Sequence, residues 1–71
     1  MNAALSKKVQ AETVKYIKAF MRQRGFAPSV RDIAAAFGIS IRAALCRLRT
    51  LRSHGVVDWD DGLSRTLRVL P

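Results

Sequence analysis

Apolar residues recur every three or four positions in three segments of this chain, a spacing that predicts amphipathic helices. The first predicted helix covers 7–24. It lies between the N-cap candidate Ser6 and Gly25, a residue that readily takes the left-handed conformation that ends helices. Its apolar stripe consists of Val9, Thr13, Tyr16, Ile17, Phe20 and Met21. We expect residues 1–5, which precede the cap, to form a flexible N-terminus.

A second, shorter helix is predicted between Ser29 and Gly38. Ser29 is a good N-cap residue, and Asp32 three positions later matches the acidic member of a capping box. The third predicted helix follows the cap candidate Ser40 and runs over 41–53. Its apolar face consists of Ala44, Leu48 and Leu51, flanked by Ile41 and Leu45.

The rest of the chain alternates between apolar and polar residues, which predicts strands. Val57 and Trp59 share one side of the first strand, and Leu67 and Val69 share one side of the second. The pair Asp61-Gly62 is a hairpin turn signal, but the loop around it is longer than two residues, so we expect its tip to project. Three helices and a hairpin predict a mainly helical α+β fold, a winged helix-turn-helix with the hairpin as its wing. It forms one domain over 1–71.

The charge balance points to the class of partner. Thirteen Lys and Arg residues against five Asp and Glu residues give a net charge of +8, which favours nucleic acid, an acidic protein or an acidic membrane surface. The third helix is basic and contains no acid, whereas solvent-facing helices usually mix both signs. The basic helices lack the aromatic and leucine-rich side that interfacial membrane binding requires, so we expect no membrane partner.

Two helices joined by residues 38–40 have the form of a helix-turn-helix, whose second helix enters the major groove of DNA. Arg42 lies in the first turn of that helix, where its guanidinium is placed to bond with guanine O6 and N7 together. The small side chains of Ser40 and Ala43 would let the helix approach closely. Three further arginines are spaced to meet phosphates along the groove walls: Arg47, Arg49 and Arg52.

Residues 5–70 resemble the N-terminal DNA-binding domain of the LexA repressor family. The resemblance is carried by the run Gly25-Phe26-Ala27-Pro28-Ser29-Val30-Arg31-Asp32-Ile33-Ala34, the Phe37-Gly38 stop, the series Ser40-x-x-Ala43-Ala44-x-x-x-Leu48-x-x-Leu51, and the segments 55–57, 62–65 and 67–70. It implies a winged helix that reads the major groove with its third helix and touches the DNA backbone or minor groove with its wing. By position, it implies base reading by Ser40, Arg42, Ala43, Leu45 and Cys46, and wing contacts by Ser64 and Arg65.

Ser29, Arg47 and Arg49 complete the set of predicted DNA-binding residues. The family's polar and acidic reading positions hold Arg42, Leu45 and Cys46 here, so we do not expect the family's operator sequence. The resemblance also implies a linker and a self-cleaving, dimerising peptidase domain, which these 71 residues do not contain. We therefore expect no self-cleavage, and a weak monomer that gains affinity as a homodimer or by cooperative pairing on repeated half-sites.

The leading hypothesis is a sequence-specific regulator that binds double-stranded DNA, a small repressor of bacterial or phage origin. The alternative is a protein-interaction adaptor that docks an acidic partner such as a polymerase or a host regulator. We expect no enzyme, because the wing carboxylates lack the enclosure that catalytic groups need. One cysteine and one histidine cannot form a zinc site, so we expect no metal, cofactor or small-molecule ligand. A single cysteine and the lack of a signal peptide indicate the cytoplasm of a bacterium or of a phage host.

Overall fold

The computed structural model describes residues 6–71, and the segment 1–5, expected to be flexible, lies outside the described residues. Three helices precede two short strands: α1 (Lys7–Arg24), α2 (Val30–Phe37), α3 (Ile41–Ser53), β1 (Val57–Asp58) and β2 (Arg68–Val69). The strands form an antiparallel sheet in which Val57 pairs with Val69 and Asp58 with Arg68. The predicted order of three helices and a C-terminal hairpin is confirmed, and the fold is a winged helix-turn-helix.

Each helix begins after a serine whose hydroxyl satisfies a backbone donor of the first turn. Ser6, Ser29 and Ser40 accept a hydrogen bond from the N–H three residues later, at 3.1, 3.1 and 3.0 Å respectively. At α2 the capping box is complete, because the Asp32 carboxylate accepts the N–H of Ser29 at 2.9 Å. These bonds pair donors that a helix N-terminus otherwise leaves open. The predicted starts of all three helices are therefore confirmed.

The first two helices end at glycines with a left-handed backbone. Gly25 has φ +78° and Gly38 has φ +63°, values that cost glycine little and other residues more. The third helix ends at His54, whose N–H donates to the carbonyl of Thr50 at 3.1 Å. Both turns between helices are therefore short, and α2 and α3 pack directly against each other.

The three helices and the hairpin share one apolar core. Its buried members are Ile17, Ala27, Ile33, Ala34, Ala44, Leu48, Leu51, Val57 and Leu67. Val57 and Leu67 come from the two arms of the hairpin, so each arm is anchored to the helices. Burying a side chain of this size contributes about 1.5–3 kcal/mol. The core is small, and α3 supplies three of its members.

The wing, residues 57–69, turns where the sequence predicts. Gly62 has φ +82°, and the N–H of Leu63 donates to the carbonyl of Asp60 at 3.2 Å. The Thr66 hydroxyl accepts the N–H of Asp60 at 2.9 Å and closes the loop. Leu63 is 64% exposed at the tip, as expected of a projecting loop. Unlike Leu63, Arg65 does not project, because its side chain folds back onto the segment between α1 and α2.

Removing the Asp32 carboxylate should destabilise the fold by about 1 kcal/mol at neutral pH. The hydrogen bond from the Ser29 backbone N–H is the main reason that the pKa of Asp32 is lowered. A carboxylate with a lowered pKa stabilises the fold above its unfolded pKa of about 3.9, and that contribution is lost as the pH falls through the folded value. In urea unfolding, the free energy of unfolding of Asp32→Ala should therefore be lower than that of the wild type at about pH 7, and this difference should vanish on acidification.

Glu12→Ala is the matched control for this prediction. Glu12 is an exposed carboxylate on α1 that makes no ion pair among residues 6–71. Its removal should leave the free energy of unfolding almost unchanged at either pH. Equal effects of the two variants would contradict a specific contribution from the capping box.

Candidate nucleic-acid interface

The buried side of α3 determines which of its residues face outward. Because Ala44 and Leu48 are buried, the 100° spacing of a helix turns Arg42, Cys46 and Arg49 to the opposite side, and all three are exposed. We call the outward surface of the first turns of α3 the reading face. It consists of Ser40, Arg42, Ala43, Leu45, Cys46 and Arg49, of which only Leu45 is partly buried. The structure thus brings most of the predicted DNA-binding residues onto one side of one helix.

The N-terminus of α3 opens onto the same surface. The Ser40 hydroxyl occupies the N–H of Ala43, and no acidic residue lies in the first turn. The remaining open N–H groups and the helix dipole place partial positive charge there, which favours a phosphate. Ser40 and Ala43 are both exposed and small, so no bulky side chain shields this end of the helix.

Three arginines around the reading face have unoccupied guanidinium groups. Arg42 and Arg49 of α3 and Arg31 of α2 are exposed and make no ion pair or side-chain hydrogen bond with residues 6–71. Arg31 was not predicted, because it stands inside the capping segment between Ser29 and Asp32. The signal that could have found it is its place in the first turn of α2, beside the buried position Ile33.

Arg47 is directed back toward the protein. Its guanidinium carbon lies 4.9 Å from the centroid of the Phe37 ring, and Nη1 donates to Oγ1 of Thr13 at 3.4 Å. Thr13 is fully buried on α1, so this contact joins α3 to both preceding helices. Arg47 lies beside the reading face, with part of its donor capacity used inside the fold.

Arg52 is bound to the wing, which corrects its prediction as a phosphate contact. Nε donates to Asp58 at 2.9 Å, Nη1 to Asp61 at 3.1 Å and Nη2 to the Trp59 carbonyl at 3.0 Å. Its guanidinium carbon also lies 4.2 Å from the centroid of the Trp59 ring. The hydrogen bonds to Asp61 and then to Asp58 raise the pKa of Arg52. We call these four residues the Arg52 clasp.

The wing carboxylates are paired with arginines and form no free acidic cluster. Arg68 donates to Asp58 and to Asp60, both at 3.3 Å. The Trp59 backbone N–H and then the Arg52 side chain lower the pKa of Asp58, so this carboxylate stays ionised. The charges at the base of the wing therefore largely cancel.

The predicted wing contacts Ser64 and Arg65 occupy different environments. Ser64 is exposed near the tip. Arg65 has φ +59°, which is uncommon for a residue other than glycine. Its Nη1 donates to the carbonyl of Ala27 and to the carboxylate of Asp32, each at 3.1 Å, and its guanidinium carbon lies 4.9 Å from the Phe26 ring centroid. Its side chain is still 45% exposed, so a face of the guanidinium remains open to solvent.

A groove of about 370 Å³ runs between the wing and the N-terminal ends of α2 and α3. It brings together predicted residues from three separate parts of the chain. Its rim includes Ser29, Arg31, Ile41, Leu45, Leu63, Ser64 and Arg65. The wing and the reading face thus form the two sides of one surface.

No three His, Cys, Asp or Glu side chains of residues 6–71 come together in a way that could hold a metal ion. Cys46 is a free, exposed thiol. No helix in the same range combines the length and apolar character needed to cross a membrane.

An exposed basic helix in a helix-turn-helix, followed by a hairpin, defines a winged helix DNA-binding domain. A family model described as the LexA DNA binding domain matches residues 2–66, and the chain belongs to this family. The resemblance seen in the sequence is thereby confirmed. The chain is therefore a DNA-binding domain of the LexA family.

The relatives are longer proteins. The LexA repressor of Thermotoga petrophila is 38% identical over 60 residues, which cover 84% of this chain and 30% of that protein. The transcription regulator LexA of Synechocystis sp. is 36% identical over 64 residues, which cover 89% of this chain and 32% of that protein. The chain spans about a third of the length of these relatives.

Replacing Arg52 with alanine should loosen the wing and leave the helices folded. Its guanidinium covers the ring of Trp59, the single tryptophan of the chain, so tryptophan emission should shift to longer wavelength. Hairpin amides should also exchange faster, including Leu70, whose N–H donates to the Val56 carbonyl at 2.9 Å. Arg49→Ala, three residues earlier on α3, is the matched control and should change neither signal. Equal shifts in both variants would argue against the clasp.

Proposed function

We propose that the chain binds double-stranded DNA with α3 in the major groove and the wing against the backbone or minor groove. One observation carries the proposal. Three exposed arginines around the N-terminal end of α3 make no ion pair or side-chain hydrogen bond with residues 6–71: Arg31, Arg42 and Arg49. Ion pairs within the fold engage Arg52, Arg65 and Arg68. Unpaired arginines on one surface instead attract a polyanion. The DNA-binding residues that we assign are Ser29, Arg31, Ser40, Arg42, Ala43, Leu45, Cys46, Arg47, Arg49, Ser64 and Arg65.

The assigned residues divide by the part of DNA they reach. Arg42, in the first turn, is placed to read a base edge, and Arg49, two turns further along the helix, to meet a phosphate. Arg31 and Ser29, at the start of α2, lie where this helix would approach the backbone. Ser64 contributes an uncharged hydroxyl from the wing.

We further propose that the chain acts as a repressor in the cytoplasm of a bacterium or a phage host, without a cofactor. A single module of this size buries about 600–1,000 Å² of protein surface on DNA, which is low for tight binding. Pairing on repeated half-sites, as a homodimer or cooperatively, would supply the missing affinity. The named activity of the relatives, repression, supports the regulatory part of this proposal.

Binding to a random duplex should weaken steeply as salt rises. Five arginines lie on the proposed DNA side: Arg31, Arg42, Arg47, Arg49 and Arg65. If each neutralises one phosphate, the logarithm of the affinity should fall with the logarithm of the salt concentration at a slope of about −4.5. Fluorescence anisotropy with a labelled duplex at several salt concentrations measures this slope. Absence of binding at low salt would overturn the proposed function.

Arg42→Ala should weaken DNA binding without changing the fold. On a random duplex, where Arg42 is counted as a phosphate contact, its loss should reduce the salt slope by about 1. On a preferred sequence, where Arg42 reads a base, its loss should weaken binding about tenfold. Lys18→Ala is the matched control, because Lys18 is an exposed cation that lies with Leu70 and Pro71 on a separate surface. Circular dichroism verifies that both variants fold.

The same variants separate DNA binding from the adaptor alternative. If Arg42→Ala and Arg65→Ala bind DNA as well as wild type, the reading face is not the DNA contact. Capture of an acidic partner by the wild-type chain, lost in these variants, would then favour the adaptor. Weakened DNA binding in Arg42→Ala alone of the pair would assign the reading face and remove Arg65 from the site.

A further inference from the structure

Three large aliphatic side chains lie outside the core and line the same groove. Ile41 is 45% exposed, Leu63 is 64% exposed and Leu45 is partly buried. All three line the groove between α3 and the wing, and none belongs to the core or packs against it. We call them the apolar strip. Isolated exposed apolar residues are normal, but a cluster in a groove marks a contact surface.

The reading face has an unusual set of hydrogen-bonding groups. Residues 41–53 contain no Asp, Glu, Asn or Gln, so α3 carries no carboxylate or amide to accept a hydrogen bond from a base. The Ser40 hydroxyl is engaged by the N–H of Ala43, and the Thr50 hydroxyl donates to the Cys46 carbonyl. Arginine is a donor with no acceptor atom. Apart from the remaining lone pairs of these hydroxyls and the weakly accepting sulfur of Cys46, the side chains of the face therefore offer donors and apolar atoms.

The four bases respond differently to such a face. In the major groove guanine presents two acceptors, N7 and O6, and thymine presents a methyl group beside its O4 acceptor. Cytosine and adenine each present an amino donor there, which needs an acceptor on the protein. Donors and apolar atoms can thus recognise guanine and thymine, and they leave the amino groups of adenine and cytosine unpaired.

We infer that the reading face recognises guanine through Arg42 and a nearby thymine methyl group through the apolar strip, with Leu45 as the residue in contact. The inference rests on the proposed function and adds the chemistry of the sequence that is bound. DNA is favoured over a second copy of this chain as the occupant of the groove, because Arg31 lines the groove and Arg42 adjoins Ile41. Two copies meeting here would bring like charges together, whereas DNA brings phosphates to them.

The test begins with the wild-type chain and a randomised duplex pool. The enriched sequence is resynthesised with deoxyuridine in place of each thymine, a change that removes one methyl group and nothing else. At the contacted position the affinity should fall about fourfold, the effect of one buried methyl-sized group. Replacing the contacted guanine with 7-deazaguanine, which lacks the N7 acceptor, should weaken binding about tenfold.

Protein variants then assign each effect to a side chain. Leu45→Ala should bind the thymine and deoxyuridine duplexes equally, because the group that contacts the methyl is gone. Arg42→Ala should likewise bind the guanine and 7-deazaguanine duplexes equally. Leu70→Ala, an exposed leucine outside the groove, is the matched control and should keep both differences. The deoxyuridine and 7-deazaguanine measurements use the wild-type chain, so their results remain valid even if a protein variant misfolds.

The outcomes separate this inference from the proposed function. If no duplex binds at low salt, the proposed function itself fails. If a sequence is enriched but deoxyuridine changes the affinity at no position, DNA binding stands and the inference is overturned. A thymine preference that persists in folded Leu45→Ala also overturns it. A dimer that forms without DNA and is lost in Leu63→Ser, with no effect of deoxyuridine, would assign the apolar strip to a second copy instead.

Discussion

The burial of one side of α3 is the constraint on which the rest of the structure depends. Leu48 is almost fully buried, and Ala44 and Leu51 are completely so, where the helix packs against α2 and the hairpin. Truncating a leucine at such a position costs about 2–5 kcal/mol, a large part of the stability of any small domain. The chain cannot rotate α3 without losing its core. The side of α3 that faces outward is therefore set by packing, before any contact with DNA exists.

With the helix fixed, the arginines of α3 differ in what surrounds them. The N-terminal Arg42 forms no ion pair with residues 6–71, whereas Arg52 in the last turn pairs with two carboxylates of the wing. The positive charge of α3 is thus unpaired in the first turn and neutralised by wing carboxylates in the last turn. Exposed ion pairs of this kind contribute little to stability. The Arg52 clasp instead fixes the orientation of the wing, because it holds the wing against α3, the helix that carries the reading face.

Local features were predictable from the sequence, and contacts between distant residues were not. The serine caps, the glycine ends and the apolar faces follow from neighbours within a few positions, and the structure confirms them. The partners of Arg65 lie 33 and 38 residues away, and those of Arg52 become neighbours only when the hairpin folds back. The spacing of arginines along α3 therefore predicts a phosphate contact for Arg52, and it gives no indication of Arg31. Ion pairs between distant residues depend on the three-dimensional fold, which the spacing of residues in the sequence does not specify.

The pairing of the wing carboxylates also bears on how the domain can approach DNA. Unpaired, Asp58 and Asp60 would repel phosphates. Bound to Arg52 and Arg68, they remove that repulsion and at the same time withdraw two cations from the interface. Near the wing tip, Leu63 and Ser64 present exposed uncharged side chains beside the paired Asp61 and the partly exposed Arg65. Electrostatic attraction is thereby concentrated at the N-terminal ends of α2 and α3 and at Arg65, which is bound to the start of α2. The rest of the wing contributes shape and apolar contact.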